Sequence, residues 1–519
     1  MTAHAESTLR AAVLAELDRA ERRGDTALRL DALRERLAPG GSAANLLADA
    51  LNALQRDGAA SVDPRRGIVQ RADLATEESR IRSRLDALRS VAKRRRVEPF
   101  AAVVLDNAEP PLTAEQRAAT EAWLTEGVAV LTGGPGTGKT TTLRAILAAL
   151  PRSSRVALLA PTARAARVLE AVTGREAHTV SRALEQRPDP GGKSSFGRDT
   201  AHPLAADVVV CDEASMLGHR LGAALLDAIP DGARVLFVGD HDQLPPVEPG
   251  DLLGALLAGA GDWPAHRLTE LHRNAGLGAA ACAAVRRCEV PTFAEADATP
   301  DPTGANVWAY TVPADEQPGR IVELLHWAAA AGFDPRHEVA VVTANSADAG
   351  PISAPRLNVA LQAALNPQSA DTGNPDPKAQ TTWRLGDVLV CRANHKPTGA
   401  VNGERLTLRE ADTRTGWFVL ERADGTAVAT GNAQELELEL GYTTTVYALQ
   451  GGSAPLVILA LDAAQQAPVV GRRWLHTALS RFERFAFVLE ARPGDTARVA
   501  ATVRPRVTGL ARYSTDPPS

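Results

Sequence analysis

Apolar positions along the chain follow two regimes. Up to about Phe100 they recur at helical spacing: Leu9, Val13 and Leu17 form one stripe. Leu28, Leu30, Leu33 and Leu37 mark a second helix, and Leu47, Leu51 and Leu54 a third before Gly58. Val62-Asp63-Pro64-Arg65-Arg66-Gly67-Ile68-Val69 then has the pattern of a tight β-hairpin. Beyond Phe100 short β-branched runs alternate with helical stretches. Val128–Leu131, Val156–Leu159, Val208–Cys211 and Val235–Val238 are nearly continuous apolar runs, as in a parallel sheet covered on both faces. A Pro-, Asp-, Thr- and Gly-rich stretch from Ala296 to Gly319 reads as a connector. A second series follows at Val339–Val342, Val457–Leu459 and Ala486–Leu489. Between its members, Leu385–Leu440 carries short strands and turns (Asn402-Gly403, Asp424-Gly425) without helical periodicity. The chain after Thr508, ending Asp-Pro-Pro-Ser, is expected to be disordered.

This alternation predicts an α/β protein, and 519 residues hold three or four domains at about 150 residues each. The expected division is a helical N-terminal module at 1–105, a first parallel-sheet domain at 106–295, and a second built from 296–380 and 441–505. A small β-barrel at 381–440 interrupts the second, and 506–519 form a tail. Three helices and a hairpin with an Arg-Arg tip resemble a winged-helix module.

Composition removes several classes. No apolar run approaches the ~18 residues of a membrane-spanning helix, and no secretory leader pattern opens the chain. Cys211, Cys282, Cys288 and Cys391 are scattered without a Cys-x-x-Cys pair, which disfavours a zinc site or disulfide framework. A cytoplasmic protein without membrane association is expected. The net charge is −5, yet Pro64–Arg96 holds eleven basic and four acidic residues. That segment is either a solvated helical face or a phosphate-contacting surface. Only Lys93, Lys139, Lys193, Lys378 and Lys396 are lysines, against 52 arginines. A retained lysine therefore points to a need arginine cannot meet.

One such lysine lies in Gly133-Gly134-Pro135-Gly136-Thr137-Gly138-Lys139-Thr140, which fits G-x-x-x-x-G-K-[ST] between an apolar strand and the helical Thr141–Leu150. Glycines let backbone N–H groups face phosphates at a helix N-terminus. Lys139 supplies a compact charge and Thr140 a hydroxyl for Mg²⁺, so the loop predicts ATP and Mg²⁺ as cofactors. About seventy residues later, Val208–Cys211 ends in Asp212-Glu213. A carboxylate pair at a strand end after such a loop assigns Asp212 to the metal and Glu213 to the attacking water.

The flanking segments go beyond a generic ATPase. Gly239-Asp240-His241-Asp242-Gln243-Leu244-Pro245-Pro246 resembles helicase motif III, Leu112-Thr113-Ala114-Glu115-Gln116 the Q motif, and Ala160-Pro161-Thr162-Ala163-Arg164 motif Ia. Together with Asp-Glu-Ala-Ser, these resemble superfamily 1 helicases of the RecD-like, 5′→3′ type. Later segments extend the likeness: Leu271-His272-Arg273-Asn274, Leu357-Asn358 with Asn366-Pro367, Gly386-Asp387-Val388, Val401-Asn402-Gly403-Glu404, Gly441–Val446 with Gln450-Gly451, and Thr477–Arg481.

The resemblance implies two RecA-like domains, a winged-helix-like N-terminal module and an inserted SH3-like barrel. It implies that Gln243 senses the γ-phosphate, that Gln116 reads the adenine edge, and that Arg273 and Arg481 act as arginine fingers. The nucleotide site would comprise Gln116 and Gly133 to Thr141, the last being Thr141 itself. Pro161, Thr162, Arg164, Asn402 and Thr445 would touch DNA. In a duplex-splitting pin over 186–203, Phe196 would be the wedge. The partners implied are single-stranded or tailed duplex DNA, and proteins of a repair or recombination complex.

The chain also departs from the family pattern. Tyr447-Ala448-Leu449-Gln450-Gly451-Gly452-Ser453 replaces the usual His-Lys-Ser-Gln-Gly-Ser-Glu of motif V, Ser181 stands where His is common, and Asn345-Ser346 replaces the polar-Arg of motif IV. ATP hydrolysis is intact by sequence, whereas the DNA-coupling half is altered. Two alternatives follow: a nucleotide-switched DNA-binding or scaffold ATPase with little unwinding, and a subunit of a multi-chain nuclease.

Overall fold

The protein is seen here as a computed structural model, which describes every residue except 1, 42, 93–104, 107, 189–193, 259–263, 271–275, 295–306, 349, 368–381, 396, 413–416, 431–436, 468 and 511–519. Two compact units emerge: residues 1–133, 137–270 and 505–519 make the first, and 134–136 with 271–504 the second. The boundary between these compact units falls after Glu270.

The first unit opens with α1 (Thr2–Arg22), β1 (Leu28–Arg29), α2 (Leu30–Leu37), α3 (Ala44–Arg56), β2 (Ala60–Asp63), β3 (Ile68–Arg71) and α4 (Ala72–Ala92). The expected hairpin forms as β2–β3, and β1 adds to β3 in antiparallel register, giving a three-stranded wing. Val13, Leu17, Leu33, Leu47, Leu51 and Leu54 close the small core beneath it.

Next come α5 (Ala114–Glu126), β4 (Val128–Gly133), α6 (Lys139–Ala149), β5 (Val156–Ala160), α7 (Ala163–Thr173), β6 (Ala177–Thr179), α8 (Val180–Ala183), β7 (Arg187–Pro188), β8 (Ser194–Ser195), β9 (Val208–Cys211), α9 (His219–Ala228), β10 (Arg234–Gly239), α10 (Leu252–Leu257) and β11 (Ala265–Leu268). Strands β11-β4-β10-β9-β5-β6 form one parallel sheet. Every residue of β4, β9 and β10 is buried, which is why these strands are written mostly in apolar letters, with Thr132 and Arg234 the exceptions.

The N-terminal module is joined to this sheet domain by a shared core. Ile81, Leu85 and Leu88 of α4 lie in one apolar cluster with Leu225, Leu226 and Ile229. Five arginines of the basic run are engaged at this seam. Arg80 pairs with Asp227, and Arg84 pairs with Asp231 and donates to the Leu226 and Ile229 carbonyls. Arg89 pairs with Glu126, while Arg66 and Arg82 donate to the Gly509 carbonyl. Of the two sequence readings, neither a free phosphate surface nor a merely solvated face describes these arginines; Lys93–Arg96 lie outside the described residues.

A second difference concerns the expected tail. Residues 505–510 run back onto the first unit, with Leu510 only 1% exposed in the shared core. The Val507 carbonyl accepts the Thr26 and Ala27 N–H groups at 2.9 and 3.1 Å. An extended stretch that satisfies its backbone this way is structure, not tail.

The second unit contains α11 (Gly276–Arg286), β12 (Val307–Thr311), α12 (Gln317–Ala330), β13 (Val339–Thr343), α13 (Ala354–Leu365), β14 (Val388–Cys391), β15 (Arg405–Asp412), β16 (Trp417–Glu421), β17 (Ala427–Thr430), β18 (Leu438–Leu440), β19 (Thr443–Thr445), β20 (Ala454–Leu461), α14 (Arg472–Leu479), β21 (Phe482–Glu490) and α15 (Asp495–Ala501). Its sheet, β12-β21-β20-β13-β19, is again wholly parallel. β12 and the start of α12 fall inside the stretch expected to be a connector. Val307 and Trp308 fill a buried register opposite Ala486 and Phe487, and this long-range pairing overrides the turn-rich composition.

Strands β17-β16-β15-β14-β18 make the expected insert, a five-stranded antiparallel sheet. A buried polar joint ties it to α13. The Asp387 carboxylate accepts from Gln362 at 2.6 Å, Asn366 at 2.7 Å, the Tyr442 hydroxyl at 2.8 Å and the Arg384 N–H at 2.7 Å. A buried carboxylate is tolerated because donors surround it. Two parallel α/β domains, an N-terminal helical module and an inserted β-sheet are thus the architecture. Among the described residues no helix is long and apolar enough to cross a membrane.

Candidate functional site

In the first sheet the carboxyl ends of β4, β10 and β9 are neighbours, so the loops leaving them share one edge. The loop after β4 carries the glycine-rich motif. Gly136 and Gly138 adopt φ of 73° and 84°, which L side chains resist. At Gly133 the constraint is contact: an added Cβ would lie 2.5 Å from Thr137 Oγ1 and 3.0 Å from the Leu268 carbonyl oxygen. Gly138 leads into α6, and Lys139 folds its Nζ back onto the Gly133 carbonyl at 2.7 Å. Thr140 is exposed at the first turn of that helix, with Thr141 beside it half-buried.

Gln116 stands in an unexpected posture. Its Oε1 accepts the Thr113 N–H at 3.1 Å, while Thr113 Oγ1 accepts the Gln116 N–H at 3.3 Å, a reciprocal cap on α5. The Gln116 Nε2 donates to the Thr137 carbonyl at 3.3 Å, and the side chain is 1% exposed. Both ends of the amide are engaged with this chain, and one of them buttresses the glycine-rich loop.

Asp212 and Glu213 follow β9. Asp212 accepts the Glu213 N–H at 2.9 Å, and Glu213 takes φ 50°, ψ 37°, a left-handed conformation unusual for glutamate. Burial and the neighbouring Glu213 charge push the Asp212 carboxyl up to about 6, against the pull of the Glu213 N–H and of Lys139. A group whose ionised form is this costly is one that a cation would stabilise. Cys211 is buried beneath the pair, and its thiol is pushed well above the ordinary range.

The β10 loop supplies Gln243, 4% exposed, whose Nε2 approaches Asp240 Oδ2 at 3.4 Å. Asp240 Oδ1 also accepts the Asp242 N–H at 3.0 Å, and Thr132 Oγ1 accepts the His241 N–H at 3.1 Å, locking this loop to β4. Gln243 Oε1 and Ser215 Oγ are buried without a hydrogen-bond partner among the described residues. Two orphaned oxygens beside a phosphate-type loop fit a polar ligand there. Sequence reasoning passed over Ser215, Asp240 and Thr132; their closeness to Asp-Glu and to strand ends was the available signal.

The remaining candidates are dispersed. Thr162 caps α7, accepting the Ala165 N–H at 3.2 Å, with Pro161 and Arg164 half-buried alongside. Asn402 is exposed on a turn of the insert, its N–H donating to Asn394 Oδ1 at 2.9 Å. Thr445 Oγ1 accepts the Ala448 N–H at 3.3 Å. Arg481 is 6% exposed; its Nε donates to the Thr477 carbonyl at 3.3 Å and Ser480 Oγ at 3.0 Å, and Nη1 to the Gly452 carbonyl at 3.3 Å. Arg273 and the 189–193 tip of the β7–β8 hairpin lie outside the described residues. Phe196 is half-buried and packs against the apolar core. The buried part of its ring adds packing beside the hairpin.

A family model described as an AAA domain matches residues 111–296. The ATP-dependent RecD2 DNA helicase of Deinococcus radiodurans is 34% identical over 379 residues, 71% of this chain and 48% of that protein. The RecBCD enzyme subunit RecD of Mycolicibacterium smegmatis is 30% identical over 437 residues, 76% of this chain and 74% of that one. The chain thus spans about half the length of the first relative and about three-quarters of the second. A solved Pif1 helicase from Bacteroides, in complex with ADP-AlF3 and ssDNA, shares 15% identity at TM-score 0.47, over 75% of this chain and 94% of that chain. Identity sustained across most of the mycobacterial protein settles the kinship: the chain belongs to the RecD family.

Proposed function

We propose that the chain is an ATP-driven motor that moves 5′→3′ on single-stranded DNA and opens tailed duplexes, acting in the cytoplasm with partners of a repair or recombination assembly. One observation carries this reading. Lys139, the Asp212–Glu213 pair and Gln243 lie on loops leaving a single sheet edge, with two buried oxygens there unpartnered among the described residues.

In this reading Lys139 leaves the Gly133 carbonyl for the β/γ-phosphates, and the backbone of Gly133 to Thr141 cradles them. Thr140 and Asp212 would hold Mg²⁺, which when bound neutralises phosphate charge. Glu213, fixed by its strained backbone, takes the proton of the attacking water. Gln243 Nε2 donates to the terminal phosphate while its Oε1 accepts from that water, and the Ser215 hydroxyl donates to the phosphate. Gln116 reads the adenine edge and, through Thr137, shapes the loop. Arg481 and Arg273 supply the arginines that stabilise charge on the transferring phosphoryl group; Arg481 would exchange its carbonyl partners to do so. Pro161, Thr162, Arg164, Asn402 and Thr445 contact the strand.

Steady-state ATP hydrolysis with and without single-stranded DNA, beside strand displacement from 5′- and 3′-tailed duplexes, tests the proposal. Stimulation at low salt and opening of the 5′-tailed duplex are expected; a DNA-indifferent ATPase would count against it. A second reading, a nucleotide-switched DNA-binding ATPase with little unwinding, draws on the hairpin. Residues 187–195 contain no aromatic, and Phe196 packs against the core. DNA affinity that follows the bound nucleotide without strand separation would favour it.

A further inference from the structure

Residues 505–510 do more than close a core. Arg506 is the hub of a junction inside the first unit, between the strap it belongs to, the N-terminal module and the loop that follows Gln243. Its guanidinium donates to three backbone carbonyls of that loop: Pro246, Glu248 at 2.8 Å, and Gly250. On the other side it lies against the turn at Gly24, where φ is 89° and an added Cβ would stand 2.3 Å from Arg506 Cζ. That turn grips the same loop, its Gly24 carbonyl accepting the Gly250 N–H at 2.8 Å.

The strap is pinned on both sides of Arg506's neighbour. Val507 donates to Asp25 Oδ1 at 3.0 Å, and Gly509 donates to Glu78 Oε1 at 3.0 Å. Glu78 faces His219 across 3.2 Å, and the His219 N–H donates to the Pro249 carbonyl at 3.0 Å. Loop 246–250 is therefore gripped through its own backbone groups from three directions, by Arg506, Gly24 and His219. Three carbonyls converging on one planar fork form a geometry that a lysine ammonium cannot reproduce.

We infer that Arg506 is a positioning residue for ATP hydrolysis: by fixing the loop at Pro246, three residues beyond Gln243, it sets where the Gln243 amide stands. This rests on the proposed phosphate-sensing role of Gln243. The N-terminal module shares the same clamp, so its docking and the strap's docking adjust the hydrolytic step together. A displacement of about 1 Å at such a group costs on the order of 10²-fold at most, and a loop still held by Gly24 and His219 shifts less. About ten-fold is the expected loss.

The test uses the full chain and the variants Arg506→Ala, Arg506→Lys, Gln243→Ala and the Gln243→Ala/Arg506→Ala pair, with ATPase kinetics, ADP affinity and amide exchange over 240–250. Arg506→Ala should lower kcat about ten-fold while ADP affinity and KM stay within about two-fold. Arg506→Lys should recover part of kcat and exchange faster than wild type over 240–250. In the pair, removing Arg506 should add less than about two-fold to the Gln243→Ala loss. Wild-type kcat in Arg506→Ala, or a full second ten-fold loss in the pair, overturns the inference. Should Arg506→Ala fail to fold, Arg506→Lys decides: unchanged kcat with unchanged exchange overturns it. Gln243→Ala turning over at the wild-type rate removes the phosphate-sensing reading itself, and the inference with it.

Discussion

Glu78→Ala is the most revealing perturbation of the seam between the N-terminal module and the sheet domain. Glu78 is 3% exposed and receives the Thr26 hydroxyl at 2.5 Å, the Gln70 amide at 2.8 Å and the Gly509 N–H, with His219 opposite. Deleting the carboxylate leaves these donors buried and unanswered. Leaving one buried donor unsatisfied costs about 1–3 kcal/mol, so stranding three costs at least about 3 kcal/mol. At about 1.4 kcal/mol per decade, the local opening equilibrium should rise by at least about two powers of ten. Hydrogen exchange of α4 and of residues 505–510 should accelerate accordingly, while β13 and β20 of the second unit stay unchanged. The pH dependence is a second signature. Burial alone would raise the Glu78 carboxyl, but His219, Thr26 and Gln70 outweigh it and hold it below its ordinary 4.5. Its contribution is therefore complete above that value and fades as pH falls through the lowered one. The variant's penalty should be full at pH 7 and shrink below about pH 4.5. Exchange within three-fold of wild type at pH 7 would refute the reasoning.

Lys139→Ala should reduce ATP turnover by at least about 10²-fold, read by phosphate release, because nothing else described in the loop supplies a mobile cation. Glu213→Gln should stop hydrolysis by a similar factor while labelled ATP still binds within a few-fold, since the amide keeps the shape but not the base. Phe196→Ala should lower the melting midpoint through a loss of about 1–3 kcal/mol of packing, while base pairs opened per ATP remain the same. If unwinding yield collapses instead with stability intact, the packing role is wrong. Replacing Arg80, Arg84 and Arg89 by Gln should leave the salt slope of DNA binding unaltered, because their charges are committed to Asp227, Asp231 and Glu126.

The parts of this molecule that were legible in sequence are those whose constraints are local. β9 runs over Val208–Cys211 as its apolar run indicated, because a central parallel strand is covered on both faces and has no polar position to blur it. Lys139 and Asp212 were readable because binding a phosphate demands a glycine turn, a compact cation and a carboxylate at set offsets along the chain. β12 was hidden: its five residues follow a turn-rich stretch, and what makes them a strand is the distant β21. Glu78 was hidden for a kindred reason. A glutamate in an arginine-rich helix looks exposed until His219 and Gly509 are brought to it from far along the chain. Phe196 stood alone among turn residues, and only the core beneath it explains its place. Gln116 shows the converse case, a motif residue found where expected in the sequence yet holding a helix end and a loop carbonyl.

That residues 505–510 complete the body begun by residues 1–270 has a consequence for biosynthesis. The first half of the chain leaves the ribosome lacking the peptide that covers Gln70, Glu78 and the 246–250 carbonyls. It must wait through translation of the whole intervening unit, at about 5–20 residues per second, before its last stitch arrives. Chains ending just after Arg504 should therefore display a protease-sensitive amino-terminal half beside a finished carboxyl-side one.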